Sequence, residues 1–261
     1  MPRLVKRPSY DEVMAFCDED PIERVFLADV ARRGLGRFAA LRDGDRLTAL
    51  CHLGANVVPS GEGAQAFAEL AARTRPRMLI GEEGAVGELW EAARGHLPPV
   101  REDRPGQPVY ILEAPPPPGE SGLRPARHAD LELLVRTSAA AYLEEAGIDA
   151  YARDPALFEW RTRTQIEESR SWLWENDGKI FFKAEASAWT EHAVQLQQVW
   201  VDPELRGHGY AKQGLADLCR LLLETTPAVC LFVRPENAVA IRLYESTGMH
   251  RVGAYRSLIF G

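Results

Sequence analysis

Residues 206–212, which read Arg-Gly-His-Gly-Tyr-Ala-Lys, lie between a strand pattern and a helix pattern. The apolar run at 194–201 favours a strand, and Pro203 ends it because proline cannot donate to a central ladder. The first N–H groups of a helix have no internal partner and carry a partial positive charge. Because Gly207 and Gly209 also allow close approach to the backbone, the spacing predicts a site for an anion such as a phosphate. The helix that follows has one apolar face, formed by Leu215, Leu218, Cys219 and Leu222.

The strand before this turn is interrupted. Its apolar alternation begins at Val194 and Leu196 and resumes at Val199, one residue out of step. An odd step of this kind predicts a β-bulge near Gln197–Gln198. A bulge separates the strand from its neighbour and frees backbone groups for a ligand.

Two more candidate site residues, Asn237 and Tyr244, follow the next apolar run, Val229–Val233. Asn237 is a typical N-cap, and Gly248 occupies a typical position for the end of a helix. The helix between them carries Tyr244 about two turns after its start. A phenol at that place can donate a proton or a hydrogen bond to a reacting group.

Both segments resemble signatures of the GNAT N-acetyltransferases. Arg206-x-x-Gly209-x-Ala211 after a bulged strand resembles the acyl-CoA pyrophosphate loop, and Asn237 followed by Tyr244 is similar to the last helix of that family. The two signatures stand in the family's order and spacing. The resemblance implies acetyl-CoA as co-substrate and an α/β (α+β) fold, in which a mixed, mostly antiparallel sheet is flanked by helices.

The resemblance also implies roles for individual residues. The backbone at 207–212 is expected to hold the diphosphate, with Arg206 or Lys212 adding charge, and the bulged strand is expected to pair with the pantetheine arm. Tyr244 is the expected general acid, because it faces the thioester sulfur in the family. The implied contacts to acetyl-CoA are Val199, Trp200, Val201, Arg206, Gly207, His208, Gly209, Tyr210, Ala211, Lys212 and Asn237.

The general base has three candidates. An alkyl ammonium with a pKa near 10 is only about 0.1% neutral at pH 7, so the amine needs a base, and the bulged strand offers only glutamines. Glu185 shares one side of a predicted strand with Lys183, which favours either a general base or a surface Lys–Glu ion pair. Glu144 and Glu145 lie at a predicted helix end, where they could bind a cationic acceptor or face solvent. The sequence does not choose among them.

Two classes of function therefore stay open. The intact turn with Asn237 and Tyr244 favours an N-acetyltransferase that acts on a primary amine of a small molecule or peptide. The alternative is a non-catalytic acyl-CoA-binding sensor or interaction module, which needs no base. Neither the acceptor nor the choice between monomer and homodimer follows from the sequence.

Composition excludes several other classes. The chain has 261 residues, 46% of them hydrophobic, and a formal net charge of −7, which argues against nucleic acid as a main partner. No apolar run approaches the ~20 residues that span a bilayer, so no membrane is expected. The four cysteines are scattered without metal-ligand spacing, which predicts buried thiols, no metal and a cytoplasmic protein.

The chain reads as two similar halves. Helices, a hairpin, a further strand and then helix, strand, helix, strand recur in the same order in both, which predicts tandem GNAT-like folds. Four prolines and two glycines at 114–122 predict a stiff linker between residues 1–113 and 123–261. The equivalent turn in the first half, Pro59–Gly63, lacks the Arg-x-x-Gly-x-Ala pattern. The resemblance thus implies a degenerate first half that shapes the acceptor side of an active second half.

Overall fold

The structure is a computed structural model that describes residues 2–147 and 149–261. Within these residues twelve strands form one sheet. The strands are β1 (Arg3–Val5), β2 (Phe38–Asp43), β3 (Arg46–Leu53), β4 (Asn56–Gly61), β5 (Met78–Glu82), β6 (Val100–Leu112), β7 (Arg124–Pro125), β8 (Ser171–Asn176), β9 (Lys179–Trp189), β10 (Val194–Trp200), β11 (Val229–Phe232) and β12 (His250–Phe260).

The helices of the described residues lie on the two faces of this sheet. They are α1 (Tyr10–Asp18), α2 (Val25–Arg32), α3 (Ala68–Thr74), α4 (Glu83–Ala93), α5 (Leu131–Ala146), α6 (Ala150–Arg153), α7 (Pro155–Glu167), α8 (Tyr210–Leu223) and α9 (Ala238–Ser246). Most begin where the sequence supplies a capping side chain. Ser9 and Glu12 form a capping box at α1, for example, and Asp154 accepts a hydrogen bond from Leu157 N at the start of α7.

The strand order is symmetric about the centre of the sheet. It runs β1-β2-β3-β4-β5-β12-β6-β11-β10-β9-β8-β7, so the order β1 to β5 from one edge matches the order β7 to β11 from the other. Only the pairs β4/β5 and β10/β11 are parallel within the described sheet. The predicted internal repeat and the mixed, mostly antiparallel sheet are both confirmed.

The sequence did not predict how the two halves join. Strand β6 comes from the first half but pairs with β11 of the second, and β12, the last strand of the chain, pairs with β5 of the first half. The two exchanged strands also pair with each other, from His250↔Ile111 to Phe260↔Val100. Residues 100–108 are largely polar and alternate in exposure, and they find a partner in β12.

The predicted linker at 114–122 is held against α8. Asp217 accepts hydrogen bonds from the backbone N–H groups of Gly119 and Ser121, both at 2.7 Å, and Arg220 donates to Pro116 O at 2.8 Å. A Cβ on Gly119 would lie 2.0 Å from Gln213 O, so only glycine fits there. The domain boundary at this segment stays a prediction, since the exchanged strands join both halves into one sheet.

Different helices cover the two faces of the sheet in the second half. Helices α8 and α9 pack on one face around a core that includes Phe182, Leu215, Leu218 and Tyr244. Helices α5 and α7 pack on the other face. Helix α2 of the first half also packs on the second half's sheet, where Val25 contacts a cluster with Ile111 and Cys230. All four cysteines are buried and free, as predicted from their apolar surroundings.

Candidate active site

The predicted bulge lies in β10. Pairing with β9 shifts register between Gln197 and Trp200, and Gln198 adopts a left-handed backbone with φ of +51°. A non-glycine residue in this conformation costs on the order of 1–2 kcal/mol, so the surrounding structure must hold it. Strand β10 pairs with β11 only at Val194 and Gln195. Beyond that point the two parallel strands separate and open a gap in the sheet.

The turn after β10 presents unpaired backbone donors. Gly207 and Gly209 have φ of +82° and +86°, and α8 begins at the next residue without a capping side chain. The first helical bond is Gln213 N to Gly209 O. The N–H groups of residues 207–212 form no hydrogen bond with any residue that the structure describes. Six successive free donors at a helix start fit a diphosphate, as the sequence predicts.

The two predicted cations of this turn have different surroundings. Arg206 forms a bidentate ion pair with Glu144, 2.6 Å at each contact, and donates to Val201 O at 3.2 Å. Lys212 is exposed and has no ion pair among the described residues. Of the two alternatives, Lys212 is therefore the side chain free to meet an anion, whereas Arg206 ties the turn to the end of α5.

Aromatic packing fixes the start of α8. Tyr210 meets Trp174 and Phe181 edge-on, with ring centroids 5.2 and 4.7 Å apart, and His208 stacks on Tyr210 at 5.9 Å. A Cβ on Gly214 would lie 2.4 Å from Phe182, so this glycine lets the helix lie directly on β9. The position of the free donors is thus set by close packing.

Tyr244 is buried with an unused hydroxyl. Asn237 caps α9 by accepting from Ala240 N at 3.1 Å, as predicted. The side chain of Tyr244 lies 6.0 Å from the ring of Tyr110 and is only 6% exposed, yet its hydroxyl bonds to no described residue. Burial, and next the carboxylate of Glu145, raise the pKa of Tyr244 well above its usual value. The phenol is therefore neutral at physiological pH and can donate.

Glu185 belongs to a buried polar cluster on the opposite face. Lys183 is completely buried, and its Nζ donates to Glu185 Oε1 at 2.7 Å and to Ser138 Oγ at 2.9 Å. The other carboxylate oxygen of Glu185 faces Gln197 Nε2 at 3.4 Å, beside the bulge. The alternative of a surface Lys–Glu pair is wrong because the side chains are only 0% and 12% exposed.

Glu144 and Glu145 hold the end of α5 over the bulge. Glu144 accepts from Trp200 Nε1 at 3.2 Å as well as from Arg206, and the Arg206 hydrogen bond lowers the pKa of its carboxyl. Glu145 accepts from Gln198 Nε2 at 3.0 Å, and its backbone carbonyl accepts from Arg234. Both side chains are thus engaged by the chain itself, Glu144 through both oxygens and Glu145 through Oε2. Of the three candidates, Glu185 lies on the strand that pairs with the bulged strand, and its Oε2 accepts only the long bond from Gln197 among the described residues.

Several site residues were not predicted. Ser138 lies on α5 and Arg234 in the turn after β11, and no motif marks either of them. Their roles depend on which face of the sheet each element covers, and that follows from the topology. Among the described residues no cluster of His, Cys, Asp and Glu could hold a metal ion. Nor does any helix in the described part of the chain have the length and apolarity to cross a membrane.

Comparisons with known proteins agree with this geometry. Residues 134–249 match the acetyltransferase (GNAT) family, and residues 36–134 match DUF4081, a domain of unknown function. A 77-residue stretch is 34% identical to mycothiol acetyltransferase of Brachybacterium faecium. That match covers 29% of this chain and 23% of the relative, so the chain spans less than a quarter of that protein's length.

Solved structures show the same fold over the whole chain. A GNAT acetyltransferase from Colwellia psychrerythraea covers 99% of this chain and 100% of its own, with a TM-score of 0.60 and 11% identity. A tandem GNAT protein from the clavulanic acid biosynthesis pathway covers 100% and 99%, with a TM-score of 0.58 and 13% identity. At these identities the likeness shows the fold alone. The match to the GNAT family covers residues 134–249, less than half of the chain, and supports an acyltransferase domain in the C-terminal half.

Proposed function

We propose that this protein transfers the acetyl group of acetyl-CoA to a primary amine of a small molecule or peptide. The observation that carries the proposal is the row of six unpaired N–H groups at 207–212, next to a gap in the sheet and to the unused hydroxyl of Tyr244. A stretch of sequence similar to a protein named mycothiol acetyltransferase supports acetyl as the transferred group.

The turn and the gap would hold the co-substrate. The donors at 207–212 and the free ammonium of Lys212 suit the diphosphate, while the separated edge of β10 offers backbone groups to the pantetheine amides. Acetyl-CoA supplies an activated acyl group when bound. The free edge of the bulge near Val199 then presents an N–H to the carbonyl oxygen, and losing one such donor costs on the order of 3 kcal/mol in other enzymes.

Glu185 is the proposed general base. Lys183 binds one of its oxygens, which fixes the carboxylate and leaves the other oxygen toward the bulge. From that position it takes a proton from the acceptor ammonium, directly or through one water. A base of this kind contributes roughly 10²–10⁴-fold to the rate. The complete burial of Lys183 excludes a merely solvated pair, and so favours Glu185 over Glu144 and Glu145.

Tyr244 is the proposed proton donor to the leaving thiolate. Its neutral phenol has no competing acceptor among the described residues, so a hydrogen bond to the sulfur replaces nothing. Four buried, free thiols suit a reducing compartment, and we propose a cytoplasmic location on that ground.

Two measurements test the proposal. Acetyl-CoA at 100-fold excess over its Kd should stabilise the protein by about 2.7 kcal/mol, read as a rise in Tm. Release of free thiol from acetyl-CoA should then accelerate with at least one amine of a panel. A rise in Tm without thiol release above background would identify the protein as an acyl-CoA sensor instead. No rise in Tm would contradict the assignment of the turn itself.

A further inference from the structure

A cavity of about 390 Å³ lies where the two halves meet, and we call it the seam pocket. Its volume falls within the range of small-molecule sites, roughly 300–1,000 Å³. The first half supplies one wall from β6, and the turn between β11 and α9 supplies the other. The lining residues are Glu102, Asp103 and Arg104 on one side and Arg234, Glu236 and Asn237 on the other.

The seam pocket is adjacent to the candidate active site. Arg234 donates to the backbone carbonyl of Glu145, and the side chain of Glu145 accepts from Gln198 at the bulge. Asn237 caps α9, the helix that carries Tyr244 about 10 Å further along its axis. A molecule in the pocket therefore lies next to the place where an acetyl group would emerge from the gap between β10 and β11.

The charges of the less exposed lining residues do not balance. Arg104 and Arg234 share one carboxylate, that of Glu102, at 2.8 Å and 3.4 Å. Asp103 adds no compensation because Arg256 binds it through two contacts of 3.0 and 2.7 Å. Glu236 also lines the pocket, but it is exposed to solvent, which screens its charge. The less exposed charges of the lining are therefore two guanidinium groups and one carboxylate.

One N–H donor of Arg234 also has no hydrogen-bond partner among the described residues. This donor is the buried Nε atom. A buried donor without an acceptor is destabilising, and more so when the group is charged. A guanidinium meets a carboxylate best through two parallel N–H donors, one of which is commonly Nε. Arg104 and Arg234 thus give the lining of the pocket two guanidinium groups, the chemistry that suits a carboxylate.

We infer that the seam pocket binds a carboxylate of the acceptor, so that the acceptor class is a small amine that also carries a carboxylate, as amino acids do. This inference rests on the proposed acetyl transfer and specifies its second substrate. The carboxylate pairs with Arg234 and Arg104, while the reacting amine points to the bulge and Glu185. Because Glu102 and Arg104 belong to β6, the first half completes the acceptor site of the second.

The test compares acids with their amides. The substrates are glycine, β-alanine, 4-aminobutyrate and 5-aminopentanoate, each beside its carboxamide, with free thiol released from acetyl-CoA as the readout. The carboxamide lowers the amine pKa in the short members, so unassisted reactivity favours the amide. We expect the reverse, a kcat/KM at least tenfold higher for the acid at the chain length that spans the pocket.

Variants of Arg234 test whether this side chain recognises the carboxylate. Arg234→Gln should remove the preference by raising KM for the acid much more than for the amide, and Arg234→Lys should retain part of it because the charge stays and the fork is lost. Arg101→Gln is the matched control, since it removes the same charge from an exposed residue of β6 that does not line the pocket. Its acid preference should equal that of the unmodified protein.

Three results would overturn the inference. These are an unmodified protein that prefers amides, an Arg234→Gln variant that lowers kcat/KM equally for acids and amides, and the absence of any substrate in the acid series. The rise in Tm with acetyl-CoA separates this failure from that of the proposed function. If acetyl-CoA still stabilises the protein and other amines still release thiol, acetyl transfer stands and only the choice of acceptor is wrong.

Discussion

The turns after β4 and β10 occupy equivalent places in the two halves, and they differ in what their backbone donors bind. In the second half the donors at 207–212 are free. In the first half the carboxylate of Glu88, on α4, accepts from Gly63 N at 3.0 Å and from Ala64 N at 2.8 Å. A carboxylate from within the chain thus takes the place that a phosphate would occupy. An anion site at a helix start is lost when a neighbouring helix supplies its own anion.

The strands that lead into these turns also differ, in how completely they pair with their neighbours. Strand β4 pairs with β3 without a break from Gly61 to Val57, whereas β10 carries the bulge at Gln198. Strands β4 and β5 pair only at Asn56 and Val57, yet a Cβ on Gly81 of β5 would lie 2.8 Å from Pro59 O, so the two strands remain in close contact beyond the paired residues. We expect this contact to leave no room for an acyl chain.

A buried polar cluster fills the equivalent face of the first half. Ser60 donates to Glu23 Oε2 at 2.7 Å and accepts from Arg24 Nε at 3.1 Å. The hydroxyl of Tyr255 donates to the backbone carbonyl of Glu23 at 2.6 Å. The Tyr244 hydroxyl of the second half has no partner among the described residues, whereas the Tyr255 hydroxyl at this cluster is bound. One fold therefore yields a site or a scaffold according to which polar groups stay unpaired.

Replacing the proposed general base should have the largest effect. Glu185→Gln keeps the size of the side chain but removes the base, so kcat for acetyl transfer should fall by roughly 10²–10⁴-fold at pH 7. Part of the loss should return at higher pH, where more of the acceptor amine is neutral. The measurement is the pH profile of kcat/KM with a fixed amine.

The matched control in the first half is Glu23→Gln. It alters a buried carboxylate in the equivalent half of the sheet, and acetyl transfer should stay within about twofold. Equal losses in Glu185→Gln and Glu23→Gln would end the distinction between an active and a scaffold half.

The same Glu23→Gln variant should change how stability depends on pH. Burial is the main cause that raises the pKa of Glu23 to about 7, from 4.5. The folded protein then binds a proton that the unfolded chain has released, so its free energy of unfolding falls as pH rises from 4.5 through 7. The shift corresponds to at most about 3 kcal/mol, and less because 18% of the side chain is exposed.

Urea unfolding at pH 5 and pH 8 measures this dependence. The unmodified protein should lose stability between the two, and Glu23→Gln should lose less because glutamine has no proton to release. If both proteins show the same difference, Glu23 is ionised in the folded state and the cluster in the first half is an ordinary ion pair.

Binding of acetyl-CoA distinguishes the turn after β10 from the turn after β4. Gly209→Asp places a carboxylate among the free donors, so the ~2.7 kcal/mol of stabilisation by 100-fold excess acetyl-CoA should vanish. The positive φ of Gly209 adds about 1–2 kcal/mol of strain, which lowers the starting Tm without preventing folding. Thermal unfolding with and without acetyl-CoA gives both quantities.

Glu88→Gln is the counterpart in the first half. It removes the internal carboxylate charge from the donors of Gly63 and Ala64, yet acetyl-CoA should still bind at one site, because the contact between β4 and β5 should leave no room for an acyl chain. A second binding site in titration calorimetry would show that Glu88 alone had blocked it. That outcome would reduce the difference between the halves to a single side chain.

The sequence predicts the parts of the site that depend on local geometry. The odd step in the alternation identifies the bulge that Gln198 forms, and the glycines identify the free start of α8, because each is a property of a few consecutive residues. Asn237 as an N-cap and the buried Tyr244 follow from helical spacing in the same way.

The parts that depend on topology could not be predicted. The exchange of β6 and β12 brings Glu102 and Arg104 beside Arg234, although about 130 residues separate them along the chain. The closure of the first half's turn by Glu88 likewise depends on how α4 packs over α3. Local patterns describe elements, whereas these contacts depend on which elements become neighbours.

The smallest predicted effect compares two buried tyrosines, Tyr244 at the candidate site and Tyr255 at the polar cluster of the first half. Tyr244→Phe removes a hydroxyl without a partner, so stability should hold or rise slightly, while kcat should fall by about tenfold, or ~1.4 kcal/mol, if the phenol donates to the sulfur. Tyr255→Phe removes a hydroxyl bound to Glu23 O at 2.6 Å, so it should cost about 1 kcal/mol of stability and leave kcat unchanged. Urea midpoints and turnover rates of both variants decide the question. A Tyr244→Phe enzyme of full activity would place that ring among the core aromatics, and the proton for the leaving thiolate would then have to come from solvent.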